Sequence, residues 1–170
     1  YVSHRPSVKV HYPTHRHMDE SSDRSNKAIT EGINLHRVFE GAITEEDLRE
    51  SIRRMALDCI IDKKQAQNLN DKITAALSNA TIAQWFKPEW DDVKCEADII
   101  SQGSVRRPDR VMIKGDKVVI VDYKFGDKRN KAYHKQMGEY MTLISKMGRY
   151  TNIEGYIWYI ALGEIEKVEV

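Results

Sequence analysis

The amino-acid sequence predicts an α/β fold, in which a central mixed β-sheet is flanked by helices and the N-terminal half is helical. In the first half of the chain, apolar residues recur at helical spacing. In the second half, short β-type runs are separated by turn residues. One more helical segment separates the last two predicted strands, and this order predicts a right-handed β-α-β crossover.

Length and composition fit one globular domain. The chain has 170 residues, of which 41% are hydrophobic and 31% charged. Residues 1–27 are polar and predict a linker or tether, and residues 28–170 form the predicted domain. No apolar run is long enough to cross a bilayer and no signal-peptide pattern is present, so we expect no membrane association and a cytoplasmic location. The chain begins at Tyr1 without a methionine, which suggests a fragment of a longer protein.

Helix boundaries follow from apolar spacing and capping residues. Thr44 and Asp47 have the spacing of a capping box and mark the start of the second helix. Pro88 ends the helical region, because proline cannot continue a helix. The predicted helices are residues 28–40, 44–61, 64–77 and 79–86, with a fifth at 130–147.

The strands are predicted around one hairpin. Gly115 and Asp116 suit a two-residue turn, which pairs residues whose numbers sum to 231. A turn at Gln102 and Gly103 extends the pairing upstream to residues whose numbers sum to 205. The run at 118–121 is apolar on both faces and indicates a central strand. The predicted strands are residues 93–100, 105–113, 117–124 and 156–161.

These registers bring three acidic residues side by side. Asp109 lies opposite Asp122, and Glu96 lies opposite Asp109. Lys124 projects from the same face as Asp122, because side chains alternate along a strand. Like charges opposite one another repel, so the sequence predicts a cation here, either Lys124 or a divalent metal. Pro108 cannot donate a ladder hydrogen bond, and we expect the pairing to break just before Asp109.

This acidic cluster suits metal-assisted hydrolysis of a phosphodiester. Carboxylate oxygens favour Mg²⁺ or Mn²⁺, and such a cation lowers the pKa of a bound water. Ten lysines and arginines lie between Val105 and Lys135 against four aspartates, an excess that suits a polyanionic substrate. The alternative is a solvated hairpin whose acids pair with neighbouring basic residues.

The same residues resemble a known family. Pro108-Asp109 followed by Asp122-Tyr123-Lys124 resembles the PD-(D/E)xK nuclease motif, which implies a restriction-endonuclease-like core. Further pieces resemble the RecB-type nuclease domain at the C-terminus of RecB and AddA (UvrD-like) helicase-nucleases. In chain order these pieces are Gly32-x-x-x-His36, Glu96 on the strand before the hairpin, the sequence DYKFG from Asp122 to Gly126, and Gln136-x-x-x-Tyr140.

The resemblance implies a role for each matching residue. The expected catalytic residues are Asp109, Asp122, Lys124 and Glu96. Lys124 would activate the attacking water, and Glu96 would either hold a second metal ion or support the ligands of the first. The expected ligands of Mg²⁺ or Mn²⁺ are His36, Asp109, Asp122 and the backbone carbonyl of Tyr123. Gln136 and Tyr140 would hold either the active-site loop or the DNA strand. Basic residues expected to contact substrate are Arg106, Arg110, Lys128 and Arg129.

The resemblance also implies a larger context. No nucleotide-binding GxxxxGK[ST] motif occurs, so the chain would be the excised exodeoxyribonuclease domain of an ATP-dependent helicase-nuclease. Its substrate would be single-stranded DNA ends delivered by the helicase, in end processing and recombinational repair. Its partners would be the parent helicase domain and, as a further candidate, a partner subunit. Two cysteines cannot supply the four thiolates of an iron–sulphur cluster, so none is expected. The alternatives are a stand-alone endonuclease and a non-catalytic DNA-binding module.

Overall fold

The computed structural model describes residues 20–96, 98–101, 104–126 and 129–169, with side chains for residues 29–96, 98, 107–126 and 129–169. The helices are α1 (Glu20–Phe39), α2 (Glu45–Leu57), α3 (Lys63–Leu77), α4 (Ala80–Trp85) and α5 (Lys131–Ser145). The strands are β1 (Asp92–Cys95), β2 (Ile99–Ser101), β3 (Ser104–Arg106), β4 (Arg110–Lys114), β5 (Lys117–Lys124), β6 (Asn152–Tyr159) and β7 (Glu164–Val168). No helix in this described part of the chain has the length and apolar character needed to cross a membrane.

The helix starts follow their capping residues. Thr44 and Asp47 form the predicted capping box of α2, in which the Asp47 carboxylate accepts from the Thr44 N–H at 2.7 Å. Asp62 and Gln65 form a second box at the start of α3. Helix α2 ends at Leu57, earlier than predicted, and Cys59 just beyond it has a left-handed φ of 55°.

Helix α1 is longer than the sequence indicated. It begins at Glu20, whereas the apolar spacing placed its start near residue 28. Residues 20–27, expected to belong to the linker, are therefore helical. The sequence did not indicate this, because a polar helical segment carries no apolar stripe that could mark it. Residues 1–19, the rest of that linker, lie outside the described residues.

A mixed sheet of five strands forms the centre of the fold, in the order β1-β4-β5-β6-β7. Strands β4 and β5 are antiparallel, β5 and β6 are parallel, and β6 and β7 are antiparallel. Strand β5, helix α5 and strand β6 make the predicted β-α-β unit. This confirms the predicted α/β fold with a mixed sheet and flanking helices.

Both predicted registers are confirmed. Lys114 pairs with Lys117, and the β4–β5 pairs sum to 231. The β1–β4 pairs and the separate β2–β3 pairs both sum to 205, as Cys95 with Arg110 and Ser101 with Ser104 show. The turn at 102–103 lies outside the described residues.

The predicted break at Pro108 is confirmed and divides two of the predicted strands. Strand β3 ends at Arg106 and β4 begins at Arg110, while β1 ends at Cys95 and β2 begins at Ile99. Since the sum stays at 205 on both sides, the same number of residues leaves each strand. The two interruptions therefore lie opposite each other, at the end of β1 and β4 where Glu96 and Asp109 are found.

Two changes occur at the far edge of the sheet. Strand β6 covers Asn152–Tyr159, four residues earlier at its start than predicted, because its pairing with β5 recruits polar residues. Strand β7 was not predicted. It follows a 3-10 turn at Ile160–Leu162 and Gly163, whose φ is 65°, and only its last residue is buried.

The core lies on both faces of β5, as the apolar run at 118–121 predicted. Val119, Val121 and Tyr123 pack against helices α1 to α4, whereas Val118 and Ile120 pack against α5. Strand alternation therefore directs Asp122 and Lys124 toward α5. Side chains from both helical layers therefore contact the C-terminal end of β5, such as Phe39 on Tyr123 and Gln136 on Lys124.

Candidate active site

Asp109 and Asp122 form a close acidic pair at the end of β5. Asp122 is 4% exposed, and Asp109 lies one residue before β4 begins. The Tyr123 N–H donates to Asp109 Oδ2 at 2.5 Å, which holds the carboxylate against β5. Burial and the charge of Asp122 raise the pKa of Asp109 to about 6, although the Tyr123 amide, Lys124 and His36 oppose this rise. The pair therefore resists carrying two negative charges without a cation.

Lys124 is fixed beside this pair by three contacts. Its ammonium forms an ion pair with the Asp122 carboxylate, and Nζ lies 3.4 Å from Gln136 Oε1. Nζ also lies 4.5 Å from the ring centroid of Tyr133. The Lys124 side chain is only 18% exposed, so its position is well defined. The sequence assigned Tyr133 to the apolar stripe of its helix and gave it no part in the site.

A chain of hydrogen bonds connects Lys124 to the segment before Pro108. Gln136 Nε2 donates to the Tyr140 hydroxyl at 2.7 Å, and this hydroxyl donates to the Arg107 carbonyl at 3.3 Å. Tyr140 is 1% exposed. Its ring is therefore core, and its hydroxyl contacts the loop before Pro108, in keeping with the expectation that Tyr140 holds this loop. A contact of Tyr140 with the DNA strand stays a prediction.

His36, Glu40 and Glu96 form a second cluster next to the acidic pair. One donor atom from each residue lies within 4.8 Å of the other two. His36 Nε2 lies 3.4 Å from Glu96 Oε1, and the imidazole packs on Phe125 with ring centroids 5.7 Å apart. Sequence reasoning missed Glu40, although its position four residues after His36 was a usable signal.

The backbone at Glu96 joins the two clusters. The Glu96 N–H donates to the Asp109 carbonyl at 2.9 Å, which confirms that these residues lie opposite one another. Glu96 has a left-handed φ of 50°, which interrupts strand alternation. Its carboxylate reaches His36 as a result. The imidazole of His36 lies close to Glu96 and Glu40, and its charge also acts on Asp109. The expected ligand role of His36 beside Asp109 and Asp122 stays a prediction.

Tyr123 contributes mainly to the core in this structure. Its ring packs between Phe39 and Trp158, with centroids 5.0 and 5.6 Å away. Burial raises the pKa of Tyr123, and the nearby charge of Arg110 opposes this rise. The expected ligand role of the Tyr123 carbonyl stays a prediction.

Arg110 is a structural residue, and the prediction that it contacts substrate is corrected. It is fully buried, because strand alternation turns it toward the helical layer. Its guanidinium donates to the carbonyls of Ala42, Ile43 and Trp85, and it stacks on Phe86 at 4.4 Å. Arg110 thus fastens the ends of α1 and α4 to β4.

The other expected substrate contacts differ in their surroundings. Arg129 is exposed but forms an ion pair with Glu164 of β7. Gln136 is half-buried and contacts Lys124. Lys128 and the side chain of Arg106 lie outside the described residues. Ion pairs thus offset part of the local excess of basic residues, and burial removes Arg110 from the surface.

The mixed sheet and the acid–acid–lysine group at the end of β5 define a class of protein, an α/β domain with two acidic side chains and a lysine together at one end of its central strand. A family model for the PD-(D/E)XK nuclease superfamily matches residues 10–169. The chain therefore belongs to the PD-(D/E)XK nuclease superfamily, and this membership implies a metal-dependent nuclease with DNA as its substrate. No curated protein sequence matches the chain.

The residues present fit a divalent metal ion. Asp109 and Asp122 supply hard oxygen donors, and burial together with the charge of Asp122 raises the pKa of Asp109 to about 6. His36, Glu40 and Glu96 supply a nitrogen and two carboxylates within reach of one another. Such donors are those that Mg²⁺ and Mn²⁺ take in proteins.

Proposed function

We propose that this chain is a Mg²⁺- or Mn²⁺-dependent deoxyribonuclease of the RecB type, with its centre at Asp109, Asp122 and Lys124. The observation that carries the proposal is the convergence of these three side chains at the end of one buried strand. Asp122 and Lys124 come from β5 and Asp109 from the residue before β4, and burial and the charge of Asp122 raise the pKa of Asp109 to about 6. A surface hairpin with incidental ion pairs would leave both acids solvated and this pKa near its ordinary value.

Each residue has a distinct task in the proposed reaction. A bound divalent cation would supply a water of lowered pKa and would stabilise charge on the phosphoryl oxygens. Asp109 and Asp122 would hold this cation, with His36 and the Tyr123 carbonyl as further ligands, while Glu96 supports the site. Lys124 would orient the attacking water and neutralise developing charge. Gln136 would keep the ammonium of Lys124 in place, since its amide bridges Lys124 and Tyr140.

The wider context of the proposal rests on the pattern of motifs. Five spaced elements, from Gly32 to Tyr140, occur in the order of the RecB-type domain of helicase-nucleases. A Cβ atom added at Gly32 would lie 3.4 Å from Cβ of Phe125. The Gly32-x-x-x-His36 element and the DYKFG element are therefore in contact. We therefore propose an exonuclease domain that receives single-stranded DNA ends from a helicase during end processing and recombinational repair.

Cleavage of end-labelled single-stranded and duplex DNA tests this function. With Mg²⁺ or Mn²⁺ we expect cutting that Asp122→Asn and Lys124→Ala reduce at least about 100-fold, the scale on which removal of one charge-stabilising group acts. Lys114→Ala is the matched control, since Lys114 lies at the far end of the same hairpin. The label pattern separates exonuclease from endonuclease action. Failure to cut and failure to bind either metal would refute the catalytic function and favour a DNA-binding module.

A further inference from the structure

We propose that the cavity between α1, α3 and the turn after β6 is a binding site for a small carboxylic acid with an apolar body. The cavity has a volume of about 400 Å³, which lies in the range of small-molecule sites. It belongs to the layer of α1 to α4, whereas strand alternation directs Asp122 and Lys124 toward α5. The cavity is therefore separate from the proposed active site, and the inference does not depend on nuclease activity.

The walls of the cavity are mainly apolar. Helices α1, α3 and α4 line one side, and Trp158 with the turn at Ile160–Leu162 lines the other. Leu162 is 40% exposed, so the cavity reaches the surface at this turn. Burial of an apolar ligand body here would be favourable, because it removes apolar surface from water. The larger apolar side chains in the walls are Leu35, Phe39, Ile73, Ile82, Ile160 and Leu162.

The indole N–H of Trp158 lacks an acceptor. Trp158 is 1% exposed, and its Nε1 has no hydrogen-bond partner among the described residues. A buried tryptophan N–H usually finds a partner, because an unsatisfied donor is costly. Trp90 shows the ordinary case, since its Nε1 donates to the Gln84 carbonyl at 3.0 Å. Because Trp158 lines the cavity, an acceptor atom on a ligand would give its N–H the missing partner.

The other polar side chains of the cavity also offer donors. The side-chain oxygen of Asn79 already accepts from the N–H groups of Thr81 and Ile82, which leaves its NH₂ group for a ligand. Among the described residues that line the cavity, Lys72 is the only charged one. Lys72 forms an ion pair with Glu31, but its side chain is 40% exposed and an ammonium has three donors. Donors with one positive charge favour a carboxylate as the polar group of the ligand.

Decanoate, decanol and decylammonium test the site, because they share one chain and differ in their head group. Titration of each into nitrogen-labelled protein is followed by NMR. Decanoate should shift the assigned indole N–H signal of Trp158 and leave that of Trp90 in place, since Trp90 already has an acceptor. Decanoate should bind about tenfold more tightly than decanol, the scale of a hydrogen bond to a charged group. Decylammonium should bind more weakly than either.

Two exposed alanines provide matched variants. Ala161→Phe adds a ring to the wall of the cavity at its surface end and should weaken decanoate at least about tenfold. Ala132→Phe adds the same ring on α5, in the other layer, and should leave binding unchanged. Lys72→Gln should weaken decanoate about tenfold and leave the affinity for decanol unchanged.

Three results would overturn the site, whether or not the chain cuts DNA. The first is a Trp158 signal that decanoate leaves in place, or unchanged decanoate binding in Ala161→Phe. The second is equal affinity for decanol and decanoate, which would indicate a groove for any apolar molecule or partner side chain. The third is a Trp158 signal that shifts with protein concentration alone, which would show that a second copy of the chain fills the groove.

Discussion

The ionisation of Asp109 lowers the stability of the metal-free protein, although the same carboxylate is expected to bind a cation. In the unfolded chain its carboxyl has an ordinary pKa of 3.8, whereas in the folded protein burial and Asp122 raise the pKa to about 6. Between these two values the folded protein keeps a proton that the unfolded chain releases. Asp109 therefore lowers the free energy of unfolding of the metal-free protein as the pH rises through this window.

Replacement of Asp109 by asparagine should stabilise the metal-free protein. Asparagine Oδ1 can still accept from the Tyr123 N–H, but it carries no charge against Asp122. Above about pH 6 we expect the free energy of unfolding of Asp109→Asn to exceed that of the wild type by roughly 1–3 kcal/mol, and the difference to vanish near pH 4. Urea denaturation with a chelator, across this pH range, measures both effects. A variant less stable than the wild type at pH 7 would contradict the assignment.

At the scale of elements, helix α5 and strand β6 meet at Gly155. A Cβ atom at this position would lie 2.6 Å from Met141 Sδ and 2.7 Å from Met137 Cγ. Both methionines are buried, and they form the face of α5 that covers β5 and β6. The absence of a side chain at Gly155 thus sets how closely α5 approaches the sheet, and with it the position of Gln136 beside Lys124.

Gly155→Ala should therefore destabilise the fold. Both methionines would have to shift, so we expect a loss of roughly 1–3 kcal/mol in the free energy of unfolding. Gly126→Ala provides the comparison, because a Cβ there meets no atom within 4 Å and φ is not positive. Chemical denaturation of the two variants beside the wild type measures the difference. Equal stability of the two would show that α5 can adjust at little cost.

At the scale of the whole molecule, the site lies at the end of the central strand β5, between the two helical layers. Helices α1 to α4 cover one face of the sheet and α5 covers the other, and each layer contributes side chains near the end of β5. His36 and Glu40 come from the first layer, whereas Gln136 and Tyr133 come from the second. A cation bound among these residues is expected to stabilise the layered fold as a unit.

Divalent metal should consequently raise the melting temperature. At a free concentration 100 times Kd, binding to the folded state contributes about 2.7 kcal/mol, which corresponds to roughly 5–10 °C for a domain of this size. Differential scanning calorimetry with Mg²⁺ or Mn²⁺, and then with a chelator, measures the shift. Lys114→Ala should keep it, and Asp122→Asn should lose most of it. A full shift in Asp122→Asn would place the bound ion elsewhere.

The hairpin and its register could be predicted from the sequence because they depend on local physics. A two-residue turn at Gly115 and strict side-chain alternation set which residues lie opposite one another. The positions of Asp109, Asp122 and Glu96 beside one another then followed from counting residues along the paired strands. Pro108 marked the interruption because it lacks an N–H. The same locality explains the capping box at Thr44.

Only the tertiary structure decided which side chains share a space. Arg110 is basic in sequence and was expected at the surface, but its burial depends on where the ends of α1 and α4 pack. Glu40 joins His36 and Glu96 because a helix end meets a strand interruption more than fifty residues away in the chain. Tyr140 is core because α5 lies against the sheet at Gly155. Turns and strand alternation depend on residues close together in the chain and can be predicted from the sequence. These contacts depend instead on how the helices pack on the sheet.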